Sequence, residues 1–89
     1  MDTASHIAHH LLKTESVKIS MNPPFTWTSG IKSPIYCDNR RLISFPEERE
    51  DIVGEFITKI GPLRPEYIAG TATAAIPWAS FIAYQMKLP

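Results

Sequence analysis

The sequence predicts an α/β fold in which an antiparallel hairpin module precedes the start of a strand–helix repeat. Three observations carry this. Residues 17–21, VKISM, alternate apolar and polar as a half-buried strand does, and two further extended runs flank a Ser-Gly turn. Residues 44–60 join a helix-start signal to a helical apolar stripe. The apolar run EYIAG then passes through a loop of small residues into a second long helix, the order in which a parallel sheet begins.

Taken in order, Thr3 or Ser5 can cap a first helix, along which Ile7, Leu11 and Leu12 form an apolar stripe. The strand at 17–21 ends in the turn Asn22-Pro23-Pro24. FTWT and SPIYC read as two strand segments across Ser29-Gly30, with Trp27 and Tyr36 as cross-strand aromatics. Ser44 and Glu47 have capping-box spacing, Pro46 falls in the first turn, and Glu47 and Glu48 complement the helix dipole. Ile52, Val53, Phe56, Ile57 and Ile60 give the apolar face, which Gly61-Pro62 terminates. EYIAG is expected as a short strand ending at Gly70, after which Ile76-Pro77 opens the helix WASFIAYQMK. That helix is apolar around most of its circumference and so expects cover on more than one side. The closing KLP reads as a junction into another strand, so the sheet is expected to continue beyond Pro89.

Composition limits the function classes. Nine Lys and Arg balance nine Asp and Glu, so the electrostatic footprint of a general nucleic-acid binder is missing. No run approaches the ~18 apolar residues of a membrane-spanning helix. The start, MDTASHIAHHLLK, carries an acid where a signal peptide has a basic region. With a single cysteine there is no internal disulfide, and the expected compartment is the cytoplasm.

Several constellations carry possible chemistry. Gly70 to Ala75, GTATAA, would let a ligand approach the backbone closely and offers N–H groups ahead of a helix, which favour anions. The same residues would also suit a tight strand-to-helix turn, and the loop has neither a lysine nor a second glycine. His6 and His10 share a helix face, as two metal ligands would. With no third ligand near in sequence, they and His9 are read as an exposed polar face, and no metal site is assigned. Cys37 sits at an alternating strand position where a small buried apolar side chain is the commoner role than a nucleophile. Glu47, Glu48, Glu50 and Asp51 are read as the solvated first turns of a helix rather than a metal-binding run. Lys32, Arg40 and Arg41 beside Trp27 and Tyr36 would suit either a small planar anion or a nucleic-acid strand, and neutral charge disfavours the second.

FTWTSGIKSPIYCDNR, followed about thirty residues later by IAGTATAAIPWA, resembles orotate phosphoribosyltransferase of the bacterial type, and the resemblance covers essentially the whole chain. It implies a type I phosphoribosyltransferase-like parallel sheet core, with only its first strand and helices present (45–89), under an N-terminal helix-plus-hairpin hood (1–44). The implied reaction moves ribose 5-phosphate from phosphoribosyl pyrophosphate to a ring nitrogen of orotate with Mg2+, in a homodimer of pyrimidine biosynthesis. By the resemblance, Tyr36 and Cys37 face orotate. Thr28 stands where some members have a phosphate-contacting lysine, with Lys32 as a substitute cation. Thr71, Ala72, Thr73 and Ala74 form the pyrophosphate loop, which often contains a strained non-proline peptide. The lysine- and histidine-bearing mobile loop and the acid–acid–Thr-Gly motif of the family are missing here, so catalytic residues are expected beyond Pro89 and these 89 residues alone are expected to be inactive. The competing class is a non-catalytic module of the same fold that binds a nucleobase or phosphoribosyl ligand.

Overall fold

A computed structural model describes residues 2–89, which divide into two compact units, Met1–Phe45 and Pro46–Pro89. In the first unit, helix α1 runs Thr3–Lys13. Its cap is neither Thr3 nor Ser5 but Asp2, whose Oδ1 accepts from the Ser5 amide at 2.7 Å. A carboxylate there also meets the positive end of the helix dipole, which a hydroxyl does less well. The histidine face departs from expectation too: His9 is exposed, but His6 is half-buried and His10 is buried.

The end of α1 is tied down by a polar junction. Thr14 sends both its N–H and its hydroxyl to the His10 carbonyl, at 3.1 and 2.8 Å. Glu15 adopts a left-handed conformation (φ 59°), and the Ser16 amide turns back to the Leu11 carbonyl at 2.9 Å. Thr14 and Ser16 are almost fully buried, and with the Thr14 proton given to His10 the Ser16 hydroxyl donates to the Thr14 oxygen at 2.7 Å. Arg41 crosses to donate its Nε–H to the Thr14 carbonyl at 2.7 Å, with its guanidinium over the Phe45 ring. Buried polar groups of this kind persist only because each is paired.

Strand β1, Val17–Ile19, is shorter than the 17–21 run expected. After it come β2 (Phe25–Thr26), β3 (Lys32–Ser33) and β4 (Ile35–Cys37). The hairpin exists, but with a different partner scheme. β2 pairs with β3, Phe25 opposite Ser33 and Thr26 opposite Lys32. The IYC segment pairs instead with β1, Val17 opposite Cys37 and Ile19 opposite Ile35. Pro34 explains the division, since it has no N–H to give a ladder and bends the chain between β3 and β4. Its carbonyl accepts from Ser20 at 2.7 Å, which passes the strand on to the β1 edge. A 3-10 helix, Asn39–Ser44, follows, capped by Asp38 through the Arg40 amide, and buries Leu42.

In the second unit, α2 spans Pro46–Ile60, followed by a 3-10 turn Gly61–Leu63, and α3 spans Ile76–Met86. The apolar stripe of α2 is used unevenly: Ile52 and Val53 are buried, whereas Phe56 is 44% exposed. Glu48 is buried, unlike the solvated acid expected of it. On α3 only Ile82 is buried among the described residues, and Tyr84 is 86% exposed. Within α3 Trp78 meets Phe81 edge-on, and between the helices Arg49 of α2 lies over the Phe81 ring at 5.2 Å. The expected strand at 66–70 does not form. Extended backbone becomes a strand only beside another, and both sheets among the described residues are two-stranded and antiparallel. Among the described backbone hydrogen bonds the 66–70 run instead donates one, from the Ile68 amide to the Pro89 carbonyl at 2.9 Å.

Candidate ligand surfaces

The hairpin is built around one tight turn. Gly30 has φ +90°, and its N–H reaches the Trp27 carbonyl at 2.8 Å, while the Trp27 amide reaches Ile31 at 2.8 Å. A positive φ there favours glycine, so the Ser-Gly pair in the sequence has a conformational reason. Trp27 does not stack on Tyr36. Its indole N–H donates to the Ile35 carbonyl at 3.1 Å, and the aromatic neighbour of Tyr36 is Phe25, ring centroids 5.8 Å apart. Trp27 and Tyr36 are each about two-fifths exposed, and Ile31 and Ile35 are exposed as well. Thr28 lies in the turn and Lys32 on β3, both exposed. Cys37 is exposed rather than buried, and its thiol donates to Asn39 Oδ1 at 3.1 Å. Among the described residues β4 pairs only with β1.

The small-residue loop belongs to the other unit. Gly70 is there because nothing larger fits: a Cβ would fall 2.6 Å from the Ala75 carbonyl oxygen and 2.8 Å from the Ala79 Cβ. Thr71, Ala72, Thr73 and Ala74 are all exposed, and the Ala72–Thr73 peptide bond is cis. The loop is closed by Ala75 N–H to the Thr71 carbonyl (3.1 Å) and Ile76 N–H to the Thr73 carbonyl (3.3 Å). Among the described backbone hydrogen bonds none is donated by Thr71, Ala72, Thr73 or Ala74, the residues just ahead of α3. Exposed amides before an eleven-residue helix favour an anion. The residues from Gly70 to Ala75 bring no carboxylate and do not fit a protein-held Mg2+, which asks for oxygen ligands of that kind.

The second unit also has a cleft of about 250 Å³ lined by Pro46, Arg49, Glu50, Val53, Phe81, Tyr84 and Gln85. None of the residues assigned to a ligand from the sequence lines it; Pro46, Glu50 and Val53, read there only as helix residues, do. Two participants escaped the sequence reading. Phe25 is expected from the sequence only as part of the FTWT strand, yet its ring is the aromatic neighbour of Tyr36. Asp38 caps the 3-10 helix and pairs with Arg40 at 3.3 Å, a role that its position before Asn-Arg-Arg could have suggested. No helix among the described residues is long and apolar enough to cross a membrane.

Solved structures define the class. The fold is similar to that of UMP synthase from Leishmania donovani, with a TM-score of 0.79 and 32% identity, over 99% of this chain and 19% of that one. It is also similar to orotate phosphoribosyltransferase from Aeropyrum pernix, with a TM-score of 0.71 and 27% identity, over 93% of this chain and 49% of that one. The helices and short strands are thus those of part of a phosphoribosyltransferase fold. Curated relatives narrow the class further. Orotate phosphoribosyltransferase of Streptococcus pneumoniae serotype 19F is 50% identical over 91 aligned positions, covering 100% of this chain and 43% of the relative. The Streptococcus thermophilus enzyme is 52% identical over the same span, and that of Enterococcus faecalis 51% over 88 positions. No protein-family model matches the chain. The chain spans less than half the length of the curated relatives it matches, and the match fits an N-terminal portion of an orotate phosphoribosyltransferase.

Proposed function

We propose that the chain provides the hairpin and pyrophosphate-loop parts of an orotate phosphoribosyltransferase, a cytoplasmic homodimer that makes orotidine 5′-monophosphate from orotate and phosphoribosyl pyrophosphate in pyrimidine biosynthesis. The observation that carries this is whole-chain identity of about half to enzymes of that name, with the GTATAA loop exposed ahead of α3. In this reading residues 1–44 form the hood and residues 45–89 begin the core. Tyr36 and Cys37 contact orotate, Thr28 and Lys32 lie on the phosphoribosyl pyrophosphate side, and Thr71, Ala72, Thr73 and Ala74 hold pyrophosphate. Mg2+ arrives bound to phosphoribosyl pyrophosphate, and no residue of the loop is assigned to it.

In the reaction the bond from ribose C1 to pyrophosphate breaks and a bond from C1 to a ring nitrogen of orotate forms. Positive charge grows on the ribose and negative charge on the leaving pyrophosphate. Amides aimed at that pyrophosphate bind it more tightly as its charge grows, and only such a gain in the transition state speeds the reaction. The exposed Tyr36 ring suits a planar anion by stacking, and exposed Lys32 offers a cation.

Turnover tests the reading. The product of the complete reading frame containing these residues is incubated with orotate, phosphoribosyl pyrophosphate and Mg2+, and orotidine 5′-monophosphate is quantified. Product is expected, and Thr73→Pro, which removes one loop N–H, is expected to slow it about 100-fold, as loss of one oxyanion donor does. Binding of both ligands without product would return the non-catalytic module. Absence of binding would overturn both.

A further inference from the structure

The histidines of α1 are arranged for more than a polar face. His6 and His10 are one helical turn apart, and their Nε2 atoms lie 3.1 Å from each other with ring centroids at 4.6 Å. Two ring nitrogens at that distance share a single proton, one donating and the other accepting. We propose that His6 and His10 form a two-imidazole site for a first-row divalent transition ion such as Zn2+, which binds both Nε2 lone pairs once the donor ring carries its proton on Nδ1 instead of Nε2.

The geometry fits the ion. Two Zn–N bonds of about 2.0–2.1 Å that end on nitrogens 3.1 Å apart enclose about 100°, close to the tetrahedral angle. The backbone beneath is held as well, because the His10 carbonyl accepts both the N–H and the hydroxyl of Thr14. His10 is buried and His6 half-buried, so the pair meets the ion already partly stripped of water. His9 takes no part, since it is exposed and its ring centre is 6.1 Å from that of His10. With two protein nitrogens the ion keeps positions for water, which makes the site exchangeable rather than structural. Imidazole selects Zn2+, Cu2+ or Ni2+ and has little use for Mg2+, a hard cation that prefers oxygen. The site is therefore independent of the magnesium used with phosphoribosyl pyrophosphate.

The test is a calorimetric titration of the untagged 89-residue chain with zinc chloride in a non-coordinating buffer at neutral pH. One zinc per chain is expected, and a large excess of Mg2+ leaves the isotherm unchanged. His6→Ala is expected to weaken binding about tenfold or more, since even indirect partners of a metal ligand change affinity by 10–100-fold. His9→Ala binds as the unsubstituted chain does. Imidazole nitrogen NMR of the unsubstituted chain provides a readout that does not depend on any variant folding: the His6 and His10 signals move together during the titration while those of His9 stay. Absence of saturable binding, an isotherm unaffected by His6→Ala, or zinc-induced shifts confined to His9 would each overturn the proposal.

Discussion

Replacing Gly70 and Gly54 by alanine, one at a time, should move stability in opposite directions. At Gly70 the added Cβ meets the Ala75 carbonyl oxygen at 2.6 Å, the Ala79 Cβ at 2.8 Å and the Ala75 carbonyl carbon at 2.9 Å. Two of these atoms are backbone at the threshold of α3, so a side-chain rotation cannot relieve the overlap. Forcing a methyl into occupied space costs about 1–3 kcal/mol, and the upper end applies where the backbone must move. The loss of unfolded-state freedom returns about 0.4–1 kcal/mol. The net for Gly70→Ala is a destabilisation of about 2 kcal/mol, or roughly 8–16 °C in Tm for a domain of this size. Gly54 is the counterpart. It lies inside α2 with nothing within 4 Å of a new Cβ, so alanine gains about 0.5–1 kcal/mol from helix propensity. Thermal melts followed by far-UV circular dichroism measure both. A Tm for Gly70→Ala within about 2 °C of the unsubstituted chain would refute the packing argument.

The helix cap and the buried hydroxyl pair give two more expectations. The Ser5 amide, and after it the Ser5 hydroxyl, hold the Asp2 carboxyl below its ordinary pKa of 3.8. Its capping contribution is therefore complete above pH 3.8 and is lost as pH falls through the lower folded value. Asp2→Asn keeps an acceptor but removes the titration, so it should lose less helicity on acidification across that window, and equal loss would contradict the cap. Thr14→Val leaves the buried Ser16 hydroxyl without its 2.7 Å partner and should cost about 1–3 kcal/mol in urea unfolding. Adding Ser16→Ala should cost less than it does alone, by about 1 kcal/mol of coupling, whereas strict additivity would show that the two hydroxyls act separately.

Local signals were read from the sequence more securely than pairings. The Gly61-Pro62 stop and the Ile76-Pro77 start stand where the helices α2 and α3 end and begin, because proline and glycine act through the backbone at their own positions. The cap of α1 was missed by one residue since Asp2, Thr3 and Ser5 are all competent and only geometry decides. Pro34 was visible, but its effect on which strand pairs with which depends on β1, fifteen residues earlier, and no local pattern encodes that choice. The strand at 66–70 was inferred from apolar content, yet a strand is a property of two segments, and its neighbour is lacking among the described residues. Of the candidate site, the exposed GTATAA loop and the fixed Gly70 follow from small-residue composition. The Phe25–Tyr36 contact, the exposure of Cys37 and the burial of His10 do not, because each depends on what lies across from it.

The distribution of the two tryptophans gives the molecule a built-in pair of optical probes. Trp27 is fixed in the hairpin through its indole N–H to the Ile35 carbonyl, and Trp78 sits edge-on to Phe81 in α3. Each compact unit thus holds one indole. Replacing either by phenylalanine leaves a single emitter that reports on one unit alone. Comparing the two emission curves through a denaturant series would reveal whether the halves melt as one cooperative body or in succession.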